Sequence, residues 1–123
     1  MTIPELYAAI DGNYASVKRI LPMDTLVAKF IVRLLSDKNF ERLMQAKENH
    51  DPTELFEAAH ALKGICANLG LDNLSAMASL ITEEFRPGKP RTMSDIDLDA
   101  HFEALREKYT KSIEVIEKFA AQS

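Results

Sequence analysis

The stretch DPTELFEAAHALKGICANLG (residues 51–70) decides how this chain folds, because it combines a clear helix start, a long amphipathic run and a helix stop. Asp51 precedes Pro52, and Glu54 stands three residues after Asp51, which is the pattern of a capping box with proline at the first helical position. Gly70 supplies the left-handed residue that commonly ends a helix. We therefore predict a helix from about residue 52 to residue 69.

This helix has one apolar face and one open face. At about 100° per residue, the predicted core-facing stripe centres on Leu62 and contains Leu55, Ala58, Ala59, Ile65, Cys66 and Leu69. His60 and Gly64 fall at about 160° and 200° from Leu62, on the opposite face. The same outward side holds, at roughly 100° to 140°, the residues Phe56, Lys63 and Ala67. His60 is thus predicted to face solvent.

Turn residues divide the rest of the chain into further helices. Short helices are predicted at residues 4–10 and 14–21, and longer ones at residues 25–37 and 40–49, which the pattern leaves open as two helices or one bent helix. Another is predicted at residues 73–85. The last and longest begins near Ser94, with apolar positions at Ile96, Phe102, Leu105, Tyr109, Ile113, Ile116 and Phe119. N-caps are expected at Asp24, Asn39, Asp72 and Ser94.

No segment outside these helical patterns alternates like a strand. The predicted fold class is all-α: an antiparallel up-down four-helix bundle with the short N-terminal helices packed across one end. We predict a single domain over residues 1–123, with the short helices in residues 1–22 and the bundle in residues 23–123.

Composition excludes several classes of function. The formal net charge of −4 argues against binding nucleic acid through a broad basic surface. No apolar run approaches the roughly 20 residues that span a bilayer, and the N-terminus lacks a signal pattern, so no membrane association is expected. The only cysteine, Cys66, is compatible with a reducing compartment, and we expect a cytoplasmic protein.

Several polar residues are expected to be structural or solvated. Cys66 falls within the apolar stripe and is expected to be an inert buried thiol. His50 is expected in a loop and His101 at a solvated or edge position, with no ligand spacing typical of zinc. Glu83 and Glu84 are expected to lie on a solvated helix face.

The outward face of the long helix carries the residues with chemical potential. A neutral imidazole is a nucleophile whose nitrogen can carry a phosphoryl group, and a lysine one turn later can meet phosphoryl oxygens as a point charge. An exposed glycine inside a helix costs roughly 0.5–1 kcal/mol relative to alanine. Because a bundle gains nothing from that loss, Gly64 is predicted to leave room for another protein beside His60.

The segment HALKGICANLG (residues 60–70) resembles the HxLKGxxxxLG signature of histidine-containing phosphotransfer (HPt) domains, and every fixed position is present. The resemblance implies that His60 is the phosphoacceptor, that Lys63 stabilises the phosphoryl group and that Gly64 clears space for the partner. It assigns structural roles to Leu62, Leu69 and Gly70. It also implies that the partners are receiver domains of response regulators or hybrid kinases, which supply the phospho-aspartate and Mg²⁺, while the HPt domain binds no nucleotide or metal.

Two functions follow as hypotheses. The first is a phosphorelay intermediate without independent turnover, which accepts a phosphoryl group on His60 from one receiver aspartate and passes it to another. The alternative is a module that binds and regulates a kinase or receiver without transfer. An ATP-using histidine kinase is not expected, since no glycine-rich nucleotide motif is present. A monomer is expected.

The predicted docking surface centres on Phe56 and Ala67, because an interface excludes water at its centre. Other apolar residues near the site, each expected more often in the core, are Ile20, Leu21, Met23, Leu71, Met77 and Ile81. In the loop at residues 86–94, Arg86, Lys89 and Arg91 are expected to solvate the loop rather than to face an acidic partner.

Overall fold

A computed structural model describes residues 1–122 of the chain. All regular secondary structure in these residues is helical. Ser123, the last residue of the predicted bundle segment, lies outside the described residues. Within residues 1–122 there is no strand, and the predicted all-α fold class is confirmed. In chain order the helices are α1 (Ile3–Ala9), α2 (Tyr14–Ile20), α3 (Asp24–Arg33), a 3-10 turn (Leu34–Ser36), α4 (Asn39–Glu48), α5 (Pro52–Asn68), α6 (Asp72–Glu84) and α7 (Asp95–Ala121).

The four α-helices that follow α3 pack against their neighbours in chain order. Helix α5 lies between α4 and α6, and α6 in turn packs against α7. Side chains join α7 to α4, where the rings of Phe40 and Tyr109 stack with centroids 4.2 Å apart and the ammonium of Lys47 lies 5.4 Å from the ring centroid of Phe102. Helix α3 packs against α7 as well. Helices α3 and α4 are separate, since the 3-10 turn and two further residues divide them.

A single apolar core runs through these contacts. It draws side chains from every α-helix, and its largest fully buried apolar members are Leu6, Tyr7, Ile31, Leu43, Leu62, Leu71, Leu74, Ile81, Phe102, Leu105 and Ile116. Full burial of such a side chain contributes about 1.5–3 kcal/mol relative to exposure. The core thus fixes which face of α5 points inward.

The N-terminal helices lie beside the connection between α5 and α6. The Tyr7 hydroxyl donates to the Leu69 carbonyl at 2.6 Å, and the Asn13 amide donates to the Gly70 carbonyl at 2.7 Å. Gly70 has φ +71°, and a Cβ there would lie 2.6 Å from the Asn13 carbonyl oxygen. The predicted glycine stop of α5 is therefore confirmed, and Gly70 also contacts Asn13 and Val17 at the start of α2.

The N-termini of two helices, each marked in the sequence by a capping side chain, are predicted correctly. The Asp51 carboxylate accepts from the Glu54 amide at 3.1 Å, and the Ser94 hydroxyl accepts from the Asp97 amide at 3.1 Å. The return bond of a capping box does not form at α5: the Asp51 amide donates to the Ala46 carbonyl at 3.0 Å, and the Glu54 carboxylate pairs with Arg42. That pair ties α4 to the first turn of α5.

Three predicted N-caps are wrong. Asp24, Asn39 and Asp72 are each the first residue of a helix, and none caps it with its side chain. The Asp24 carboxylate accepts from the Tyr14 hydroxyl at 2.7 Å and from the Lys18 ammonium at 2.8 Å. The Asp72 carboxylate likewise accepts from the Asn13 side chain, and Asn39 accepts from Arg42, both at 2.8 Å. Partners on other turns or helices thus replace the backbone amides as donors.

Ile96 is not a core position, although it is one of the apolar positions predicted for the last helix. Its side chain is 81% exposed, whereas Leu98, two residues later, is buried. At about 100° per residue, Ile96 falls on the face opposite the buried stripe of Leu98, Phe102, Leu105, Tyr109 and Ile116. No helix within residues 1–122 is long and apolar enough to cross a membrane.

Candidate functional site

His60 lies on the exposed face of α5, midway along the helix, as the helical wheel predicts. The opposite face is closed, because Leu55, Ala58, Ala59, Leu62 and Cys66 are all buried. The imidazole therefore stands on a backbone that the core holds in place while the ring itself meets solvent. Such an arrangement presents a nucleophile without requiring the helix to move.

The ring of Phe56 packs against the imidazole of His60. The two ring centroids are 5.7 Å apart and the ring planes differ by only 12°. Phe56 precedes His60 by one helical turn and is half-buried. The predicted docking residue therefore also has an intramolecular contact, which restricts the orientations of the histidine ring on one side.

Open space lies one turn after the histidine, at Gly64. A Cβ built on Gly64 would meet nothing within 4 Å. Ala67, the next small residue on this face, is exposed. A partner surface can thus reach this side of the imidazole without displacing a side chain of the chain itself.

Lys63 is half-buried and its backbone joins two helices. Its carbonyl accepts from the Ser75 hydroxyl of α6 at 3.0 Å. The charge of Lys63 also acts on Glu83, near the end of α6: the Arg86 guanidinium first, and Lys63 and Lys89 to a lesser degree, hold the pKa of the Glu83 carboxyl at about 2. Lys63 therefore lies on the side of α5 that faces α6.

Arg86 lies two residues after the end of α6, and its side chain extends to the site. Its Nε and Nη2 donate to the two oxygens of Glu83 at 2.7 and 2.8 Å. The same guanidinium lies 5.4 Å from the ring centroid of Phe56, the residue that stacks on His60. Sequence reasoning missed this contact. The spacing of Glu83 and Arg86 by three residues could have indicated the ion pair, but nothing local indicates Phe56.

The loop at residues 86–94 is anchored by a buried carboxylate. Glu84 is 2% exposed and accepts from Arg91 Nε at 2.7 Å, from both the amide and the hydroxyl of Thr92, and from the Met93 amide at 2.9 Å. Burial raises the pKa of Glu84, but these hydrogen bonds outweigh burial and bring the pKa to about 2. Two expectations are therefore wrong: Glu84 is not solvated, and Arg91 fixes the loop instead of solvating it.

The other predicted neighbours of the site divide into exposed and buried residues. Ile20 and Met23 are 51% and 59% exposed, so their expected place in the core is wrong. Leu71 and Ile81 are buried and have no surface to offer a partner. Leu21 and Met77 are half-buried.

The remaining polar candidates have the expected placements. His50 lies exposed in the turn between α4 and α5 with φ +50°, and His101 is half-buried on α7. Cys66 is buried, and burial together with the charge of Asp37 raises the pKa of its thiol to about 12. In the described part of the chain, no group of three or more His, Cys, Asp or Glu residues is placed to hold a metal ion.

Comparison with known proteins identifies the family. The family model of the Hpt domain matches residues 29–108, more than half of the chain, and includes α4, α5, α6 and the whole of the HALKGICANLG segment. The chain therefore belongs to the HPt domain family, whose members take part in histidine phosphotransfer in two-component signalling and interact with receiver domains. No curated protein and no solved structure matches the chain.

Proposed function

We propose that this protein is a phosphorelay intermediate, which accepts a phosphoryl group on His60 from the aspartate of one receiver domain and passes it to another. The observation that carries the proposal is the exposed imidazole on a helix whose opposite face is buried, with open space at Gly64 one turn away. Family membership supports it. The protein would act as a phosphocarrier without turnover of its own.

The proposed step is an in-line exchange between two residues. A ring nitrogen of neutral His60 attacks the phosphorus of the receiver's phospho-aspartate, so that an N–P bond forms while the P–O bond to the aspartate breaks and leaves a carboxylate. The other ring nitrogen keeps its proton until solvent removes it. In the reverse exchange, that nitrogen regains a proton from solvent, an aspartate oxygen of the second receiver attacks the phosphorus as the N–P bond breaks, and His60 returns to its neutral starting state.

The other residues of the face have proposed roles in the same step. Lys63 would contact the phosphoryl oxygens, and Gly64 would admit the receiver's catalytic surface. Phe56 and Ala67 would contact the receiver around the reacting group. Mg²⁺ would enter with the receiver, where it neutralises the phosphoryl oxygens of the phospho-aspartate.

The arrangement of helices supports the presentation of His60. The pairwise packing of α4 with α5, α5 with α6 and α6 with α7, together with the side-chain contacts between α7 and α4, supports the proposed up-down four-helix bundle. Its single domain, monomeric state and cytoplasmic location stay predictions from the sequence.

A transfer assay tests the proposal. The protein is incubated with a receiver domain phosphorylated on aspartate and with Mg²⁺, and acid-labile, base-stable phosphate on the chain is measured. We expect label on the wild type and on His50→Gln, which removes an exposed histidine outside the site, and none on His60→Gln. Label on His60→Gln would refute the proposal. Receiver binding without label on the wild type would instead establish a binding module that does not transfer.

A further inference from the structure

One carboxylate beside the site is surrounded by cations. Glu83 holds Arg86 through two hydrogen bonds, and Lys89 Nζ donates to the Glu83 carbonyl at 3.2 Å. The charge of Lys63, which reaches this place from α5, acts on the same carboxylate. Glu83 thus interacts with cations from two parts of the chain near His60: Lys63 on α5, and Arg86 and Lys89 after the end of α6.

Arg86 connects this cluster to the histidine through an aromatic ring. The Phe56 ring has the guanidinium of Arg86 at 5.4 Å and the imidazole of His60 at 5.7 Å from its centroid. The guanidinium has five N–H donors in a planar fork that matches phosphate oxygens, and the Glu83 pair uses two of them. Arg86 and His60 therefore both contact the ring of Phe56, while the charge of Arg86 is paired with Glu83.

The main chain at Arg86 is held by hydrogen bonds, and its side chain is exposed. Phe85, the preceding residue, is buried and donates its amide to the Ile81 carbonyl, and the Arg86 carbonyl accepts from the Lys89 amide. The side chains of Arg86 and Glu83 are 45% and 47% exposed. A pair this exposed contributes little to stability, so its partners exchange at little cost.

We propose that Glu83 is the resting counter-ion of Arg86, and that Arg86 exchanges this carboxylate for the phosphoryl oxygens when His60 is phosphorylated. This inference rests on the proposed function. No covalent bond changes in the exchange, since the guanidinium only replaces two carboxylate acceptors by phosphoryl acceptors, which carry more negative charge. Because Glu83 competes with the phosphoryl group for Arg86, it weakens the hold of the site on that group and favours onward transfer.

The equilibrium constant for transfer from a phosphorylated receiver to the protein measures this competition. Relative to wild type, Arg86→Gln is expected to lower the constant about three- to fivefold, and Glu83→Gln to raise it by a similar factor, as for exposed charge pairs. In the Arg86→Gln background, Glu83→Gln is expected to change the constant by less than about twofold. The controls Lys111→Gln and Glu114→Gln, exposed on α7, are expected to match wild type.

A second measurement follows Arg86 directly and needs no receiver. The protein is phosphorylated with phosphoramidate at neutral pH, and the Arg86 Nε–H resonance is recorded by NMR. We expect this resonance to shift on phosphorylation in the wild type and to start from a different position in Glu83→Gln. If circular dichroism shows that Arg86→Gln does not fold, Arg86→Lys replaces it, because lysine keeps the charge but lacks the planar set of N–H donors. The equilibrium constant of Arg86→Lys is expected to lie between the wild-type value and the value expected for Arg86→Gln.

The outcomes separate the two proposals. If neither phosphoramidate nor a phosphorylated receiver places phosphate on His60, the proposed function itself is refuted. If His60 is phosphorylated but the equilibrium constant is the same in wild type, Arg86→Gln and Glu83→Gln, or if Glu83→Gln lowers it, only the exchange is overturned. An Arg86 resonance that does not respond to phosphorylation would also overturn it.

Discussion

The rings of Phe56 and His60 lie nearly parallel, 12° apart in plane and 5.7 Å apart between centroids, on successive turns of the same exposed helix face. Phe56 is half-buried, and the Arg86 guanidinium lies 5.4 Å from its ring centroid, so the Phe56 ring limits the orientations open to the imidazole. The imidazole of His60 is thus exposed but not free to adopt every orientation. Positioning of this kind accelerates a transfer step by reducing the entropy lost in reaching the reactive geometry.

Phe56→Ala tests whether the contact between the two rings orients His60. We expect the rate of phosphoryl transfer to His60 to fall by about tenfold, because the ring loses its orienting contact. The free energy of unfolding is expected to fall by only about 1–2 kcal/mol, since Phe56 is half-buried rather than in the core. Stopped-flow transfer kinetics and urea unfolding measure the two quantities. A transfer rate equal to wild type would show that the stack does not orient His60.

Gly64→Ala and Gly64→Gln separate stability from access. A Cβ at Gly64 meets nothing within 4 Å, so Gly64→Ala is expected to raise the free energy of unfolding by about 0.5–1 kcal/mol through helix propensity. Gly64→Gln is expected to gain a similar stability while its longer side chain obstructs the receiver and slows transfer at least about tenfold. Urea unfolding and transfer kinetics are compared on the same samples. Fast transfer by Gly64→Gln would refute the steric role.

Lys63→Ala is expected to slow transfer while leaving the fold nearly unchanged. The bond that Lys63 makes to Ser75 uses its main-chain carbonyl, which alanine retains. The free energy of unfolding is therefore expected to change by less than about 1 kcal/mol. Lys111→Ala, on an exposed position of α7, is the matched control. A loss of helicity by circular dichroism in Lys63→Ala alone would instead assign Lys63 a structural role.

Glu84→Gln tests the anchor of the 86–94 loop. The substitution removes the charge from a buried acceptor of four hydrogen bonds, and we expect the free energy of unfolding at pH 7 to fall by about 2–3 kcal/mol. The exposed Glu48→Gln is the control and is expected to stay within about 0.5 kcal/mol of wild type.

The same carboxylate gives the stability a pH dependence. The pKa of Glu84 is about 2 in the folded protein, below the ordinary glutamate value of about 4.3, so its contribution is full above the unfolded value and is lost as the pH falls toward 2. Urea unfolding of wild type and Glu84→Gln at pH 7, 4 and 2.5 should therefore show the difference between them shrinking with acidity. A difference that is constant over this range would contradict the ion pair with Arg91.

The sequence predicts features whose causes lie within a few residues. The cap at Asp51, the cap at Ser94 and the stop at Gly70 each depend on partners within one turn or on a backbone angle. The orientation of His60 follows from periodicity alone, because one complete apolar stripe fixes the opposite face. These predictions need no knowledge of tertiary contacts.

The wrong predictions involve side-chain partners that the helical pattern does not indicate. Asp72 accepts from Asn13, 59 residues away, and no local pattern indicates that bond. Glu84 is buried and accepts from an arginine seven residues later, across a loop whose path the sequence does not show. Arg86 reaches Phe56 on another helix for the same reason. Ile96 fails differently, since it is apolar but lies off the helical stripe that begins at Leu98.

The measurement that tests the central claim most directly is the location of the phosphate after exposure to a phosphorylated receiver. Peptides of the protein are separated at neutral to basic pH, which preserves phosphohistidine, and analysed by tandem mass spectrometry. We expect the phosphate on His60 and on neither His50 nor His101. Phosphate on another residue, or an unmodified chain after the receiver has lost its own phosphate, would contradict the account.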